Sequence, residues 1–167
     1  DVCLNYDEDA LVANNMTIPT SLWNLTEPEW NGKVTFPSPM TSSPGRAFLA
    51  ATVDYFGHEP GNQSGDMASW WTAMAQNGAI FTTGWSESYV TYYTGGYGEY
   101  MEGYIGGAYL TVSYCHSPGV EAYYAENYTH STSLVLPRAS FHLVEYTGIV
   151  NGAAEVNAAN QFIEFIT

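Results

Sequence analysis

Basic side chains are almost missing from this sequence. Its 167 residues include three of them, Lys33, Arg46 and Arg138, against 17 acidic ones, for a formal net charge of −14. Three cations cannot neutralise a row of phosphates, which excludes nucleic acid as a partner. An anionic membrane surface is excluded on the same ground. Long apolar runs are also missing: none approaches the ~18 residues that mark a membrane-spanning helix. Cysteine is scarce, since Cys3 and Cys115 are the whole supply. Two thiols make neither a disulfide-rich scaffold nor a zinc site. Each sits in a strand-like run, so they either form one bridge in an oxidising compartment or remain two buried thiols.

Catalytic and metal signatures are lacking too. The histidines, His58, His116, His130 and His142, are scattered without metal-ligand spacing. There is no phosphate-binding lysine loop, no Gly-rich dinucleotide fingerprint after a strand and no Gly-x-Ser-x-Gly elbow. Ser64, within Gly61–Gly65, reads as a turn residue. We therefore expect no catalytic residue, no metal and no enzymatic activity. The sequence opens at Asp1 inside a strand-like run, with no basic leader or cleavage site, and so reads as a processed or excised piece of something longer.

What is present suits one domain with a sizeable core, because 46% of the residues are hydrophobic. Strand-like and helix-like segments alternate. Strands are expected at Val2–Tyr6, Val34–Phe36, Ala79–Thr82, Tyr109–Tyr114, Leu134–Leu136 and His142–Val150. Short Thr-capped helical turns are expected at Thr20–Leu25 and Thr26–Trp30. Longer helices are expected at Pro44–Phe56 (stopping at Gly57), Asp66–Gln76, Ser86–Thr94, Pro118–Glu126 and Ala153–Ile166. The last carries an apolar stripe of Val156, Ala159, Phe162, Ile163 and Ile166. The Gly- and Tyr-rich segment Gly95–Tyr109 reads as a hairpin or an ordered insertion. Strands separated by helices predict an α/β lobe of three αβα layers around a mixed, mostly parallel sheet. Such sheets hold ligands beyond the carboxyl ends of their strands.

Three strand-to-helix junctions share one design. Thr41-Ser42-Ser43-Pro44-Gly45 places Ser43 as a cap and Pro44 at the first helical position. In Gly84-Trp85-Ser86-Glu87-Ser88-Tyr89 the cap is Ser86, and in Tyr114-Cys115-His116-Ser117-Pro118-Gly119 it is Ser117. Each presents free N–H groups and a hydroxyl at the positive end of a helix. Trp85, Tyr89 and Tyr114 interleave these caps with rings on which a flat cation can stack. Glu87 either balances such a cation or suits its own helix start, and His116 either hydrogen-bonds a ligand or stands at the rim. An acidic field favours a cationic ligand, although acidity also serves solubility.

These motifs, with Pro28-Glu29-Trp30-Asn31-Gly32-Lys33-Val34 and Asn77-Gly78-Ala79, resemble in order and spacing the thiamine-binding subfamily of ABC-transporter solute-binding proteins. The resemblance implies a type II periplasmic-binding-protein architecture: two α/β lobes joined by crossover strands, with the ligand in the cleft between them. Residues 1–167 would form the C-terminal lobe, and the N-terminal lobe would lie outside this sequence. Ser42, Ser43 and Gly45 match the turn at the phosphate end of thiamine phosphates, and Trp85, Tyr89, Tyr114 and Ser117 match the ring site. With Thr41, Ser86, Glu87 and His116 they make the candidate ligand set. The resemblance further implies an extracytoplasmic location and an ABC permease in the membrane as partner. Thiamine or its phosphate esters would be cargo rather than cofactor. Another small solute, such as ferric iron or a polyamine, is the alternative ligand.

Overall fold

A computed structural model describes residues 1–58, 67–124 and 130–166. In chain order the regular elements are β1 (Val2–Asp7), α1 (Glu8–Ala13), β2 (Val34–Pro37), α2 (Ser43–His58), α3 (Met67–Gln76), β3 (Ile80–Thr82), β4 (Leu110–Tyr114), α4 (Ser117–Tyr124), β5 (Ser131–Leu134) and α5 (Val156–Ile166). Single helical turns lie between them: 3₁₀ turns at Leu22–Thr26, Pro28–Trp30 and Tyr97–Tyr100, and a π-helical turn at Glu87–Tyr92. The strands form one sheet in the order β3-β2-β4-β1-β5. β2 pairs parallel with β3 and β4, whereas β1 pairs antiparallel with β4 and β5. Four strands thus point one way and β1 runs against them.

The two faces of this sheet differ because side chains alternate along each strand. Val2, Leu4, Tyr6, Val34, Phe36, Leu110 and Val112 join the apolar core with Phe48 of α2 and Trp70 and Met74 of α3. Phe36 is its ring hub, stacked on Phe48 at 5.7 Å and edge-on to Trp70 at 5.9 Å and Trp71 at 5.0 Å. The alternate positions carry buried polar side chains: Asn5, Thr35, Thr111 and Ser113. The π turn packs on this second face through Ser88, whose Oγ lies 3.0 Å from Thr35 Oγ1 and 3.1 Å from Thr111 Oγ1. Helices α2 and α3, the sheet, and the π turn with α4 make up the three layers.

Several expectations change. Ser21, not Thr20, caps the first 3₁₀ turn, in a reciprocal capping box with Asn24, and the second begins at Pro28 without a side-chain cap. Helix α2 runs through Gly57 to His58. Ser86–Thr94 is a π turn rather than an α-helix, closed by the Tyr93 N–H on Ser88 O. Gly95–Tyr109 is an ordered insertion with no hairpin, joined to the rest by the isolated Tyr93–Ala108 bridge. Its Gly98 lies against the Val90 backbone so closely that a Cβ there would sit 2.8 Å from Val90 Cα. The strand expected at Leu134–Leu136 lies at Ser131–Leu134. His142–Val150 forms no strand: Leu143 packs partly against the core but most side chains of the segment meet solvent (Tyr146 is 92% exposed), and alternation makes a strand only where a ladder partner exists. The apolar stripe of α5 contributes no buried residue. The Gly61–Gly65 loop with Ser64, and the last two residues of the helix expected to end at Glu126, lie outside the described residues.

Cys3 and Cys115 are bonded, with their Cα atoms 5.3 Å apart. The register explains the pairing. Cys3 opposes Ser113 across β1 and β4, and the Cys115 N–H donates to Asp1 O at 2.9 Å. The bridge therefore clamps the start of β1 to the carboxyl end of β4. Phe141 closes the other side of β1 through two backbone hydrogen bonds with Val2, each 2.9 Å.

Candidate functional site

Because β2, β3 and β4 are parallel neighbours, their carboxyl ends and the three junctions that follow lie at one sheet edge. Two cavities open there. The first, about 550 Å³, is lined by Thr41, Ser42, Ser43 and Pro44 from the first junction, Thr83, Gly84, Trp85, Ser86 and Glu87 from the second, and Tyr114. The second, about 480 Å³, is lined by rings, Trp85, Tyr89, Tyr97, Tyr114, His116 and Tyr124, together with Ser117, Val120 and Glu121. Both volumes fall within the range of small-molecule sites. Trp85 and Tyr114 belong to both linings and form a shared wall.

The first junction is set by Ser42, not Ser43. Ser42 is buried and its Oγ accepts from the Gly45 N–H at 3.3 Å, which caps α2. Ser43 becomes the first helical residue, exposed to the cavity, and Pro44 the second. Gly45 does not line either cavity. A Cβ at Gly45 would overlap the Pro37 carbonyl oxygen and sit 2.9 Å from Ser38 C, so glycine lets α2 start directly against β2. Thr41 donates its hydroxyl to Thr83 O, joining the first junction to the second.

In the second junction Ser86 makes no capping bond. Glu87 instead reaches back to the end of β3, its Oε2 accepting from Thr83 N at 2.7 Å and Thr83 Oγ1 at 2.6 Å. The Thr83 hydroxyl, and then its N–H, hold the Glu87 carboxyl below the usual carboxylate range. Trp85 is fixed from two sides. Its indole N–H donates to Ser113 Oγ at 2.8 Å, and its ring stacks on Tyr89 with centroids 5.0 Å apart and planes 16° from parallel. The third junction differs from expectation as the first does. Ser117 is the first residue of α4, and its hydroxyl faces Ser113 Oγ at 3.0 Å instead of capping. His116 packs beside Tyr114 with centroids 5.4 Å apart.

Residues that sequence reasoning passed over complete the second cavity. Tyr97 comes from the 95–109 insertion, and Glu121 and Tyr124 from α4. Glu121 is 6% exposed, and neither of its oxygens has a hydrogen-bond partner among the described residues. The Tyr89 hydroxyl is also buried and unpartnered. Burial raises the Glu121 carboxyl, and the nearby Tyr89 hydroxyl and Tyr97 backbone, too poorly placed for hydrogen bonds of normal geometry, offset this only in part. Burial, then Glu121, raises the Tyr89 and Tyr97 phenols, and burial, then Glu145, raises that of Tyr114. None of the three basic residues lines either cavity. Lys33 lies over the Tyr109 ring at 4.3 Å, Arg46 donates to the Pro39 and Met40 carbonyls, and Arg138 pairs with Asp54 at 3.6 Å.

Comparison with known proteins agrees with this architecture. The solved structure of a periplasmic thiamin binding protein superposes with a TM-score of 0.61 at 20% sequence identity, over 99% of this chain and 45% of that one. The periplasmic binding protein P5PA superposes with a TM-score of 0.59 at 13% identity, over 99% of this chain and 46% of that one. The chain thus spans under half the length of these solved relatives, and at such identities the likeness is one of fold. No curated protein sequence matches. The family model for bacterial extracellular solute-binding proteins matches residues 1–93, from β1 through the π turn. By that match over more than half of its length, the chain belongs to the family of bacterial extracellular solute-binding proteins.

Proposed function

We propose that this chain is one lobe, the C-terminal one, of a two-lobed protein that captures thiamine outside the cytoplasm for an ABC importer. The observation that carries the reading is the wall shared by the two cavities: Trp85 and Tyr114 face a hydroxyl-lined pocket on one side and a ring-lined pocket on the other. A flat cationic ring with an alcohol arm has matching halves. The thiamin binding protein among the solved relatives supports the ligand class.

The polar cavity favours thiamine over its phosphate esters. Ser43 and Thr41 offer hydroxyls there, but the Gly45 N–H is taken by Ser42, Pro44 has no N–H, and Glu87 is held as a carboxylate in the lining. A phosphate would meet that negative charge with no cation to offset it. Ferric iron is a poorer fit, because iron would need tyrosinate and burial makes the Tyr89, Tyr97 and Tyr114 phenols harder to ionise.

The lobe reading also explains the placement of the chain's crossings. Asp1 sits against Cys115 and Phe141 against Val2, so the start of β1 and the segment that follows β5 both lie at the edge that carries the cavities, where a second lobe hinged across a cleft would connect. Calorimetric titration of the full-length protein with thiamine and thiamine phosphate tests the proposal. Thiamine is expected to bind more tightly than its phosphate, and the 167-residue chain to bind at least tenfold more weakly than the full-length protein. Absence of binding by either compound to the full-length protein overturns the reading.

A further inference from the structure

Glu121 poses a problem that the lobe's fold does not solve. A carboxylate buried to 94% without a hydrogen bond is a cost to stability, whether it is kept ionised or forced to take a proton. Core packing alone would be served better by leucine or glutamine at that place. The residue sits one helical turn after Ser117 on α4, and beside it are the unpartnered Tyr89 hydroxyl and the Tyr97 ring. Above it lies the ring-lined cavity, with Trp85, Tyr114, His116 and Tyr124 on the other walls. Lys33, Arg46 and Arg138 are all engaged elsewhere and none lines the cavity. The missing counter-charge has one open place to come from, which is the cavity itself.

We propose that Glu121 is the charge selector of this cavity, which takes an organic cation whose positive charge is carried on or next to a flat ring and rejects a neutral ring of the same shape. The proposal rests on the solute-binding reading above and narrows its ligand class. Two attractions act on such a ligand. Trp85 and Tyr114, both partly exposed, offer the negative quadrupoles of their rings, with Tyr89 buried and stacked behind Trp85. Glu121 adds a full charge, acting through a low-dielectric layer because its oxygens lie beneath the lining and make no direct contact with solvent. A cation in the cavity relieves the desolvated carboxylate, whereas a neutral ring leaves it as costly as before. Glu121 therefore discriminates by ligand charge more than it contributes contact area. A lysine-like point cation gains less than a ring cation, since only the latter also stacks.

The test uses the full-length protein and three probes: thiamine, 3-deazathiamine (the same shape with a neutral thiophene ring) and benzyltrimethylammonium. Wild-type protein is expected to bind thiamine at least tenfold more tightly than the neutral analogue. Glu121→Gln should lose most of that preference, and its binding of the neutral analogue should stay the same or improve. Equal wild-type affinity for the two ring compounds overturns the inference, as does an unchanged preference in E121Q. The wild-type comparison needs no variant, so equal affinities overturn the inference even if E121Q fails to fold. The thiamine reading stands or falls separately. If thiamine and its analogue both fail to bind but benzyltrimethylammonium binds wild type and not E121Q, the charge selector stands and thiamine is the wrong cargo. If thiamine binds without regard to its charge, the cargo stands and the selector falls.

Discussion

The indole N–H of Trp85 donates to Ser113 Oγ at 2.8 Å, and Ser113 in turn faces Ser117 Oγ at 3.0 Å. A ring on the second junction is thereby tied to the hydroxyl that opens the third. This link holds the common wall of the two cavities at a fixed angle to the sheet. It ties that wall to the packing of β4, since Ser113 is a fully buried residue of that strand.

Replacing Trp85 should affect binding more than folding. Trp85→Phe removes one hydrogen bond and should cost about 1 kcal/mol of stability. Trp85→Ala also removes the stacking face, and should weaken binding of a ring cation by roughly two- to thirty-fold. Chemical denaturation and calorimetric titration of both variants separate the two effects.

Gly45→Ala should destabilise the protein although Gly45 itself lines neither cavity. The added methyl overlaps the Pro37 carbonyl oxygen, so α2 must shift off β2. A loss of about 1–3 kcal/mol in a urea midpoint experiment is expected. An unchanged midpoint would mean that the helix start has room it does not show.

Reduction of the Cys3–Cys115 bridge should be costly, since it closes a loop with a sequence separation of 112 residues. A loss of about 2–5 kcal/mol is expected on adding dithiothreitol or in Cys3→Ser. Comparing denaturation curves with and without reductant checks this, with a thiol assay to confirm that the bridge was intact at the start.

Glu87 and Glu121 should tilt the pH dependence of stability in opposite directions. The folded state lowers the Glu87 carboxyl, so its contribution is present above the unfolded-state value and is lost as pH falls through the folded one. The folded state raises Glu121, so the native chain holds a proton that the unfolded chain releases, and stability declines as pH rises between the two values. Glu121 is faced by Tyr89, Tyr93 and Tyr97 from the π turn and the insertion, and His116, Tyr114 and Tyr124 line the same cavity. In melting curves between pH 3 and pH 8, Glu87→Gln should flatten the acid limb. Glu121→Gln should raise the melting temperature near neutrality.

How much of this could be read from residues alone depended on the kind of force involved. The alternation of Val2, Leu4 and Tyr6, and the Ser-Pro junctions, are local signals, and they gave the sheet and the edge where the cavities open. The cap positions slipped by one residue, because Ser42 and Ser43 are equally suited by type and only the contact of Gly45 with β2 decides between them. The strand expected at His142–Val150 failed, and the stripe of α5 lies uncovered on the expected helix, for a different reason: apolar periodicity announces a face without saying that anything covers it. Glu121 escaped notice because a glutamate on a short helix is ordinarily solvated. One clue was available. Glu121 lies four residues after Ser117, on the same face of α4 as a residue already placed at the site.

The contact between Asp1 and Cys115 carries a practical lesson for anyone handling the protein. Any group attached at Asp1 stands beside Tyr114 and His116, which line the candidate cavities. A bulky tag at that spot would crowd them, whereas a small environment-sensitive dye there would test whether a solute enters.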